Sequence, residues 1–346
     1  MDTAIDTRNA YYDRIAEHGL KALWNVMANF VTPAPVSPVK AATWEYDKVR
    51  DYLMEAGDLI SAEEAERRVL VLENPGLPGS SLLTRTLYIG FQLILPGEVA
   101  PAHRHTQNAL RFVVEGEGAF TAINGEKVIM RPYDLVLTPN MYWHDHGNQT
   151  DRHMIWIDGL DLGLVQSLDG AFSERHHNGG AITETTPPGD PLNRHGRDPR
   201  PVDESSGDVP PGDHRLFHYP FKEWRANLAV MAQIGPPDQH LAYKSEFTNP
   251  VTAGAVMATM SAFAQLMPKG FKTQPMRTTE SQAFFVVEGS GTLQIDGEPF
   301  ALREGTTGVI PPWAETQCEA DSDLVLFSFT DRTVQQKLDL WREART

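Results

Sequence analysis

The sequence is organised around residues 97–118, GEVAPAHRHTQNALRFVVEGEG, and residues 138–148, TPNMYWHDHGN. Each stretch contains two histidines one residue apart, namely His103 with His105 and His144 with His146. Side chains two apart in a β-strand share a face, so each strand directs two imidazoles to the same side. Neutral imidazole is a ligand for iron, zinc, copper and nickel. Two such strands closing on one interior predict a metal site; the alternative is polar histidines on half-exposed strands.

Composition limits the partners of the chain. The 346 residues carry a net charge of −16, which disfavours nucleic acid and anionic membranes as partners. A hydrophobic content of 41% suits one large or two medium soluble domains. Cys318 is the single cysteine, and no apolar run resembles a signal peptide or a membrane span. We therefore expect a soluble, cytoplasmic protein.

The first part of the chain is predicted to be helical. Apolar residues recur at helical spacing over residues 8–30, and a second helix is predicted over 44–56. Ser61 and Glu64 form a capping box that starts a short third helix running to Arg67. Residues 1–69 are therefore predicted to be an N-terminal helical arm suited to packing or oligomerisation.

From Leu70 the pattern changes to short strands separated by turns. Asn124-Gly125 lies between two alternating runs and indicates a hairpin, so residues 70–172 are predicted to form an antiparallel sandwich or barrel. Residues 173–225, rich in Gly, Pro, Asp and Arg near their start, are predicted to be an inter-domain linker. The linker histidines are expected to be solvated; they are His176, His177, His195 and His214.

The second half repeats the β-pattern of the first. The segment FVVEGEGAFTAINGEKVIM matches FFVVEGSGTLQIDGEPFAL some 172 positions later. The repeat places Met276, Thr278 and Thr316 where the first half has His103, His105 and His144. Residues 226–346 are therefore predicted to form a second barrel that lacks metal ligands, has a structural role and ends in a short C-terminal helix.

Strand parity identifies further residues for the interior of the first barrel. Arg111 falls on the same face as the first histidine pair, where it would bind a substrate carboxylate or pair with a structural acid. Asp158 would bond a substrate hydroxyl, orient His146 or pair with Arg111. Gln92 lies inside an apolar run, so it faces either the pocket or a buried hydrogen-bond partner.

The spacings G-x5-H-x-H and P-x4-H-x3-N (Pro139, His144, Asn148) resemble the two motifs of the cupin superfamily. Over about residues 60–165 the sequence is similar to the gentisate 1,2-dioxygenase family, which includes salicylate and 1-hydroxy-2-naphthoate dioxygenases. The segments that carry this similarity are HRHTQNALRFVVEGEG, WHDHGN and WIDGLD. The resemblance implies a mainly β fold with two cupin barrels of the jelly-roll type, preceded by the helical arm. The cupin glutamate is replaced near Ala109, which implies a three-histidine site.

The family resemblance also implies roles for individual residues. Fe(II) would be held by His103, His105 and His144, and His146 would act on substrate protons together with Asp158. Arg111 would contact the substrate, joined by an additional arginine, Arg67 or its neighbour Arg68; on residue type alone these two arginines are better explained as surface charges. Gln92 is a further candidate for substrate binding, from its position in the apolar run alone. The family is typically tetrameric, so a homotetramer is expected.

The implied reaction is extradiol-type cleavage of an aromatic hydroxy acid by O2, with gentisate (2,5-dihydroxybenzoate) opened to maleylpyruvate. Two alternatives remain open at this point. One is a sister dioxygenase that acts on salicylate or 1-hydroxy-2-naphthoate. The other is a non-catalytic cupin that binds a metal or a carboxylate.

Overall fold

The computed structural model describes residues 2–176, 186, 189–196 and 214–346. Residues 1–37 form one compact unit and residues 38–346 another. In the first unit, α1 (Asp2–Glu17) and α2 (Leu23–Phe30) replace the single helix predicted over 8–30. Gly19 ends the helical path with a φ of +69°, a conformation that costs glycine least. The Tyr12 hydroxyl joins the two helices by accepting from the Trp24 indole at 3.1 Å.

The next segment begins with a strand where the sequence predicted a helix. The extended residues of β1 (Ala42–Glu45) are followed by α3 (Tyr46–Leu59) and α4 (Ala62–Ala65). The helix predicted from Trp44 therefore starts at Tyr46, because Trp44 pairs with Thr307 of a strand far along the chain. One half of the predicted capping box is present: the Ser61 hydroxyl accepts from the Glu64 backbone N–H at 3.1 Å. The helix it starts ends at Ala65, short of Arg67.

The first barrel consists of two antiparallel sheets. Its strands are β2 (Arg68–Val71), β3 (Tyr88–Ile94), β4 (Val99–His105), β5 (Ala109–Glu115), β6 (Phe120–Ile123), β7 (Glu126–Ile129), β8 (Leu135–Thr138), β9 (His144–Gly147) and β10 (Met154–Leu160), followed by α5 (Leu162–Ser167) and β11 (Ser173–Arg175). One sheet has the order β11-β4-β9-β6-β7. The predicted hairpin joins β6 to β7, with Asn124 and Gly125 both at positive φ.

Three elements connect the barrels in the described part of the chain: α6 (Asp190–His195), β12 (His218–Tyr219) and α7 (Phe221–Ile234). The strand β12 pairs with β8 and completes the second sheet of the first barrel, β12-β8-β5-β10-β3-β2. His214 was expected to be solvated, but it is 8% exposed and its backbone N–H donates to the Tyr142 hydroxyl. His177 lies outside the described residues. Division of the chain at residues 69, 172 and 225 stays a prediction.

The second barrel repeats the architecture of the first. Its strands are β13 (Tyr243–Phe247), β14 (Ser261–Met267), β15 (Met276–Thr278), β16 (Gln282–Glu288), β17 (Ser290–Ile295), β18 (Glu298–Arg303), β19 (Thr306–Ile310), β20 (Thr316–Ala320), β21 (Leu324–Thr330) and β22 (Glu343–Arg345), with α8 (Arg332–Lys337) before the last. The sheets are β1-β19-β16-β21-β14-β13 and β18-β17-β20-β15-β22. The predicted C-terminal helix is thus one short helix, because residues 343–345 pair with β15.

The internal repeat is confirmed by strand register. His103 faces His144 across β4 and β9, and Met276 faces Thr316 across β15 and β20. The two barrels pack through aromatic rings, with Phe112 and Phe327 stacked at a centroid distance of 4.0 Å. The fold is therefore mainly β, with two cupin barrels and N-terminal helices. No helix in the described part of the chain is long and apolar enough to span a membrane.

The repeated Val-Glu-Gly motif anchors one helix to each barrel. Glu115 of the first barrel accepts from Arg50 of α3 at 2.7 Å and from the Tyr46 hydroxyl at 2.6 Å. Glu288 of the second barrel accepts from Arg225 of α7 at 3.0 Å. The strand preceding each helix belongs to the opposite barrel, since β1 pairs with β19 and β12 with β8. Strand and helix together therefore tie the two barrels to each other.

Replacing Glu115 with glutamine should destabilise the protein in a pH-dependent way. Burial alone would raise the pKa of Glu115, but hydrogen bonds from Arg50, Tyr46 and His153 outweigh it and lower the pKa to about 2. Because the folded pKa lies below the unfolded value, this stabilisation is present above the unfolded pKa and is lost as the pH falls toward 2. We expect Glu115→Gln to lower the free energy of unfolding by about 1–2 kcal/mol at pH 7.

Urea denaturation at several pH values checks this expectation. The difference between the parent protein and Glu115→Gln should shrink as the pH falls below the unfolded pKa of a carboxyl, about 4.3. Glu117, two residues along the same turn, is the control position, and Glu117→Gln should show no such trend. A pH-independent difference for Glu115→Gln would contradict the account.

Candidate active site

Four histidines meet inside the first barrel. The ring centroids of His103 and His144 are 4.2 Å apart, those of His105 and His144 4.9 Å, and those of His144 and His146 5.4 Å. All four are buried, and His144 and His146 have no exposed surface. Strand β4 supplies the first pair and β9 the second, so the parity that the sequence predicted brings both pairs to one interior.

Hydrogen bonds fix the tautomer of three of these histidines. The Nδ1 atoms of His103, His105 and His144 lie 2.8–2.9 Å from the backbone carbonyls of Pro101, Gln107 and Tyr142. A carbonyl oxygen only accepts, so Nδ1 carries the proton and Nε2 presents its lone pair. This is the usual arrangement of a metal-binding histidine.

His146 differs from the other three in its partner. Its Nδ1 lies 3.0 Å from the hydroxyl oxygen of Thr121, which faces it across strands β6 and β9. A hydroxyl both donates and accepts, so it leaves either nitrogen of His146 free to carry the proton. His146 is therefore the histidine of the four whose tautomer is not fixed by the partner of its Nδ1 atom.

The electrostatics keep the four imidazoles neutral. Burial, followed by the charge of Arg67, lowers the pKa of His103 to about 3. Burial lowers the pKa of His105 to about 4, and the pKa values of His144 and His146 lie well below the usual range for the same cause. Neutral imidazole is the form that binds metals.

The donor set fits a metal ion. Ligand atoms of His103, His144 and His146 lie within 4.8 Å of one another, and His105 adjoins them. Within the described residues, the buried Nε2 atoms of His144 and His146 have no hydrogen-bond partner. Buried polar nitrogens without partners cost free energy unless a ligand satisfies them. An all-nitrogen set is typical of iron, copper, zinc or nickel, and it excludes magnesium and calcium as natural occupants.

Arg111 and Asp158 form a buried ion pair beside the histidines. They face each other across β5 and β10, with Arg111 Nε 3.2 Å from an Asp158 carboxylate oxygen. Burial lowers the pKa of Arg111 to about 10, although Asp158 opposes this, and burial raises the pKa of Asp158. The pairing that the sequence left open is thus present. Arg111 Nε and Nη1 nevertheless have no aligned acceptor among the described residues, so the fork retains donors for an anion.

The two neighbouring arginines at the end of the helical arm have different surroundings. Arg67 contacts His103 Nε2 through its guanidinium, and burial lowers its pKa. Arg68 is instead held by the Glu98 carboxylate and by the Ile60 carbonyl, each at 2.7 Å. Arg67 therefore reaches the histidine cluster with its guanidinium, although the residue as a whole is exposed. Arg68 is 7% exposed, so it is not a surface charge.

Gln92 and two residues that the sequence analysis missed complete the surroundings. Gln92 is buried on β3 opposite Trp156 and lines a small cavity with Arg67. Tyr88 lies on the same face of β3, four residues before Gln92. Burial, followed by the charge of Asp158, raises the pKa of Tyr88. Strand alternation could have identified Tyr88, because positions 88, 90 and 92 of a strand lie on one face. Thr121 had no signal in the sequence, since its role depends on which strand pairs with β9.

Comparison with known proteins agrees with this geometry. The cupin domain pattern matches residues 90–160 and 262–329, one copy in each barrel. The chain is 46% identical over 340 residues to gentisate 1,2-dioxygenase 1 of Aquipseudomonas alcaligenes, covering 98% of this chain and 96% of that one. The chain belongs to the gentisate 1,2-dioxygenase family of bicupins.

Other members of the family are also similar to the chain. A 1-hydroxy-2-naphthoate 1,2-dioxygenase of Nocardioides sp. (strain KP7) is 36% identical, with 94% of this chain and 84% of that one covered. Among solved structures, a salicylate 1,2-dioxygenase from Pseudoaminobacter salicylatoxidans in adducts with gentisate superposes with a TM-score of 0.90 at 30% identity, covering 98% and 94% of the two chains. The family thus includes proteins named for different aromatic hydroxy acids.

Proposed function

We propose that this chain is an Fe(II)-dependent ring-cleaving dioxygenase that converts gentisate and O2 to maleylpyruvate. The observation that carries the proposal is the buried four-histidine cluster beside Arg111 and Arg67, in a chain that matches a gentisate 1,2-dioxygenase over almost its full length. Neutral nitrogen ligands leave the positive charge of the ion undiminished, which suits an anionic substrate. We extend the proposal to a cytoplasmic homotetramer, on the basis of the single cysteine for the location and of the family resemblance for the tetramer.

We assign His103, His105 and His144 as the iron ligands. Their support is the hydrogen bond from each Nδ1 to a backbone carbonyl, which directs the Nε2 lone pair into the site. Distance alone favours His146 over His105 as the third ligand, because His146 belongs to the group within 4.8 Å. We give the tautomer more weight, since coordination needs a lone pair on Nε2 in every turnover.

The remaining polar residues bind the substrate and move its proton. Arg111 and Arg67 hold the substrate carboxylate, and Gln92 contacts the substrate from β3, opposite Trp156. His146 accepts the proton of a ring hydroxyl at Nε2, and Asp158 stabilises the charge that this transfer leaves on the histidine. The bound iron supplies the redox chemistry that couples the ring to O2. Burial of Arg111, His146 and Asp158 excludes water, which strengthens their interactions with the substrate.

Insertion of both oxygen atoms opens the ring between the carboxyl-bearing carbon and the adjacent hydroxyl-bearing carbon. Gentisate and O2 then balance with one maleylpyruvate, without a further reductant. This is an extradiol-type cleavage, in which the bond broken lies beside one hydroxyl.

A second candidate function is cleavage of salicylate or 1-hydroxy-2-naphthoate by the same site. The similarity to a salicylate 1,2-dioxygenase with a TM-score of 0.90 favours it. The two candidates differ in whether turnover needs the 5-hydroxyl of gentisate. A non-catalytic cupin, by contrast, would bind metal and carboxylate without consuming oxygen.

Oxygen uptake by the anaerobically purified, Fe(II)-loaded chain tests these functions. Gentisate, salicylate and 1-hydroxy-2-naphthoate are offered in parallel, with absorbance followed in the maleylpyruvate band. We expect uptake equimolar with gentisate. Uptake with salicylate alone would identify salicylate as the substrate and leave the proposed class of reaction unchanged. No uptake with any of the three by fully loaded protein would contradict the proposed function.

Arg67 and Arg68 offer a matched pair of variants. Arg67→Leu should raise the Kd for gentisate, measured anaerobically, on the order of 30-fold, because it removes a carboxylate donor worth about 2 kcal/mol. Arg68→Leu should leave that Kd within about threefold and instead destabilise the protein by about 3 kcal/mol, since it leaves Glu98 unpaired. The reverse distribution of effects would show that Arg68 binds the substrate.

A further inference from the structure

The second barrel contains a cavity at the position that the active site occupies in the first. The cavity volume is about 70 Å³, and the space is about 760 Å³ when the open region at its mouth is counted. Strand register relates the two interiors. Gly90 and Gln92 pair with β10 in the first barrel, and Phe263 and Gln265 take the corresponding positions opposite β21 in the second. On the edge strand of the first barrel, β2, Val69 pairs with Gln92. On the corresponding edge strand of the second barrel, β13, Lys244 pairs with Gln265. The interior that lost its histidines has therefore acquired a lysine.

Two cations line this cavity and share one aromatic ring. Lys244 Nζ lies 4.5 Å from the centroid of Phe263, and the Arg332 guanidinium carbon lies 5.7 Å from it. Among the described residues, no carboxylate oxygen lies within 4.0 Å of either charged group. By comparison, the Lys272 ammonium on the outer surface lies 3.1 Å from a Glu319 carboxylate oxygen. The cavity thus presents positive charge that nearby side chains do not pair.

The acidic residues around the cavity have other partners. Glu280, 3% exposed, accepts from the Thr330 hydroxyl at 3.0 Å, and Glu343 accepts from Arg345 at 2.6 Å. Burial, opposed by Lys244 and Arg332, raises the pKa of Glu280. Burial likewise lowers the pKa of Lys244. An anion entering the cavity would therefore replace solvent at two cations and meet two carboxyl groups, those of Glu280 and Glu343, each of which has another partner.

The rest of the lining is mixed. Its apolar residues include Met267, Met276, Phe284, Leu293, Ile310 and Leu326, and its polar residues include His240, Gln265, Thr273, Thr278, Gln282 and Thr316. A ligand that fits both parts has a compact apolar body and one carboxylate. A hydrated inorganic anion would leave the apolar wall uncovered, and a neutral apolar molecule would leave both cations unpaired.

We propose that the second barrel is a binding site for a small aromatic or aliphatic monocarboxylate, held by Lys244 and Arg332. The site is separate from the histidine cluster and contains no histidine pair, so it binds without catalysing ring cleavage. Phe284 and Ser328 stand where the first barrel has Arg111 and Asp158, which moves the cation from the central strand to the edge strand.

Benzoate is the probe, and isothermal titration calorimetry of the iron-loaded full chain under nitrogen is the measurement. Benzoate also fits the first barrel, so the readout is the number of equivalents bound per chain. We expect Lys244→Met to weaken benzoate binding at one site at least about tenfold, so that the titration counts one equivalent fewer per chain. Lys272→Met, which removes the same charge from the outer surface, should leave the count unchanged.

The alternative outcomes each overturn the proposal. Equal counts for the parent chain and Lys244→Met would show that this cavity does not bind the probe. Equal losses in Lys244→Met and Lys272→Met would assign the effect to the net charge of the chain. Methionine matches the length of the lysine stem, and thermal unfolding confirms that the variant is folded. If it is not, Arg332→Leu is titrated for the same equivalent. Because equivalents are counted without turnover, the outcome is independent of the gentisate reaction.

Discussion

His105→Ala is expected to abolish stoichiometric iron binding, whereas His146→Ala is expected to retain it. The reason lies in the second nitrogen of each ring. His105 Nδ1 lies 2.8 Å from the Gln107 carbonyl, which fixes the Nε2 lone pair, while His146 Nδ1 lies 3.0 Å from the Thr121 hydroxyl, which fixes neither tautomer. The measurement is iron per chain after anaerobic loading and gel filtration.

The same two variants should also differ in turnover. His105→Ala should lose activity together with its iron. His146→Ala should keep one iron per chain and lose about 10²–10⁴-fold in kcat, the range for removing a general base. Iron loss in His146→Ala with retention in His105→Ala would reverse the assignment and make the group within 4.8 Å the ligand set.

Arg111→Met is expected to reduce both substrate binding and stability, and Arg111→Lys is expected to separate the two. The methionine variant leaves Asp158 buried without its partner, which should cost about 3–5 kcal/mol in the free energy of unfolding. The lysine variant keeps a charge opposite Asp158 and should cost much less. It lacks the planar fork, so the Kd for gentisate should still rise on the order of 30-fold.

Anaerobic calorimetry gives the Kd, and urea denaturation gives the stability of each variant. If Arg111 only balances Asp158, Arg111→Lys will bind gentisate as tightly as the parent chain. That result would remove Arg111 from the proposed substrate site and leave Arg67 as the carboxylate donor.

Local rules were sufficient for the parts of the site that depend on one strand. Two-residue periodicity placed both histidine pairs on one interior and turned Arg111 toward them. The repeat correctly set Met276 and Thr316 opposite each other, where the first barrel has His103 and His144. These features follow from spacing along the chain, which the sequence states directly.

Features that depend on distant pairing were out of reach. Trp44 is extended because its partner Thr307 lies more than 250 residues later, so helical spacing misled the prediction there. Thr121 and His146 meet only because β6 pairs with β9, and Lys244 enters a cavity only because β13 closes the edge of its sheet. The assembly of sheets from non-adjacent strands decides such contacts, and periodicity within one strand does not encode it.

The most direct test of the proposed reaction is mass spectrometry of the product formed from gentisate under ¹⁸O2. Cleavage by a dioxygenase places both atoms of one O2 molecule in the ring-opened acid, so we predict maleylpyruvate carrying two ¹⁸O atoms, after correction for exchange with water. A single labelled atom at early times would indicate a monooxygenase. An unlabelled product, or no ring-opened product from iron-loaded protein, would contradict the account.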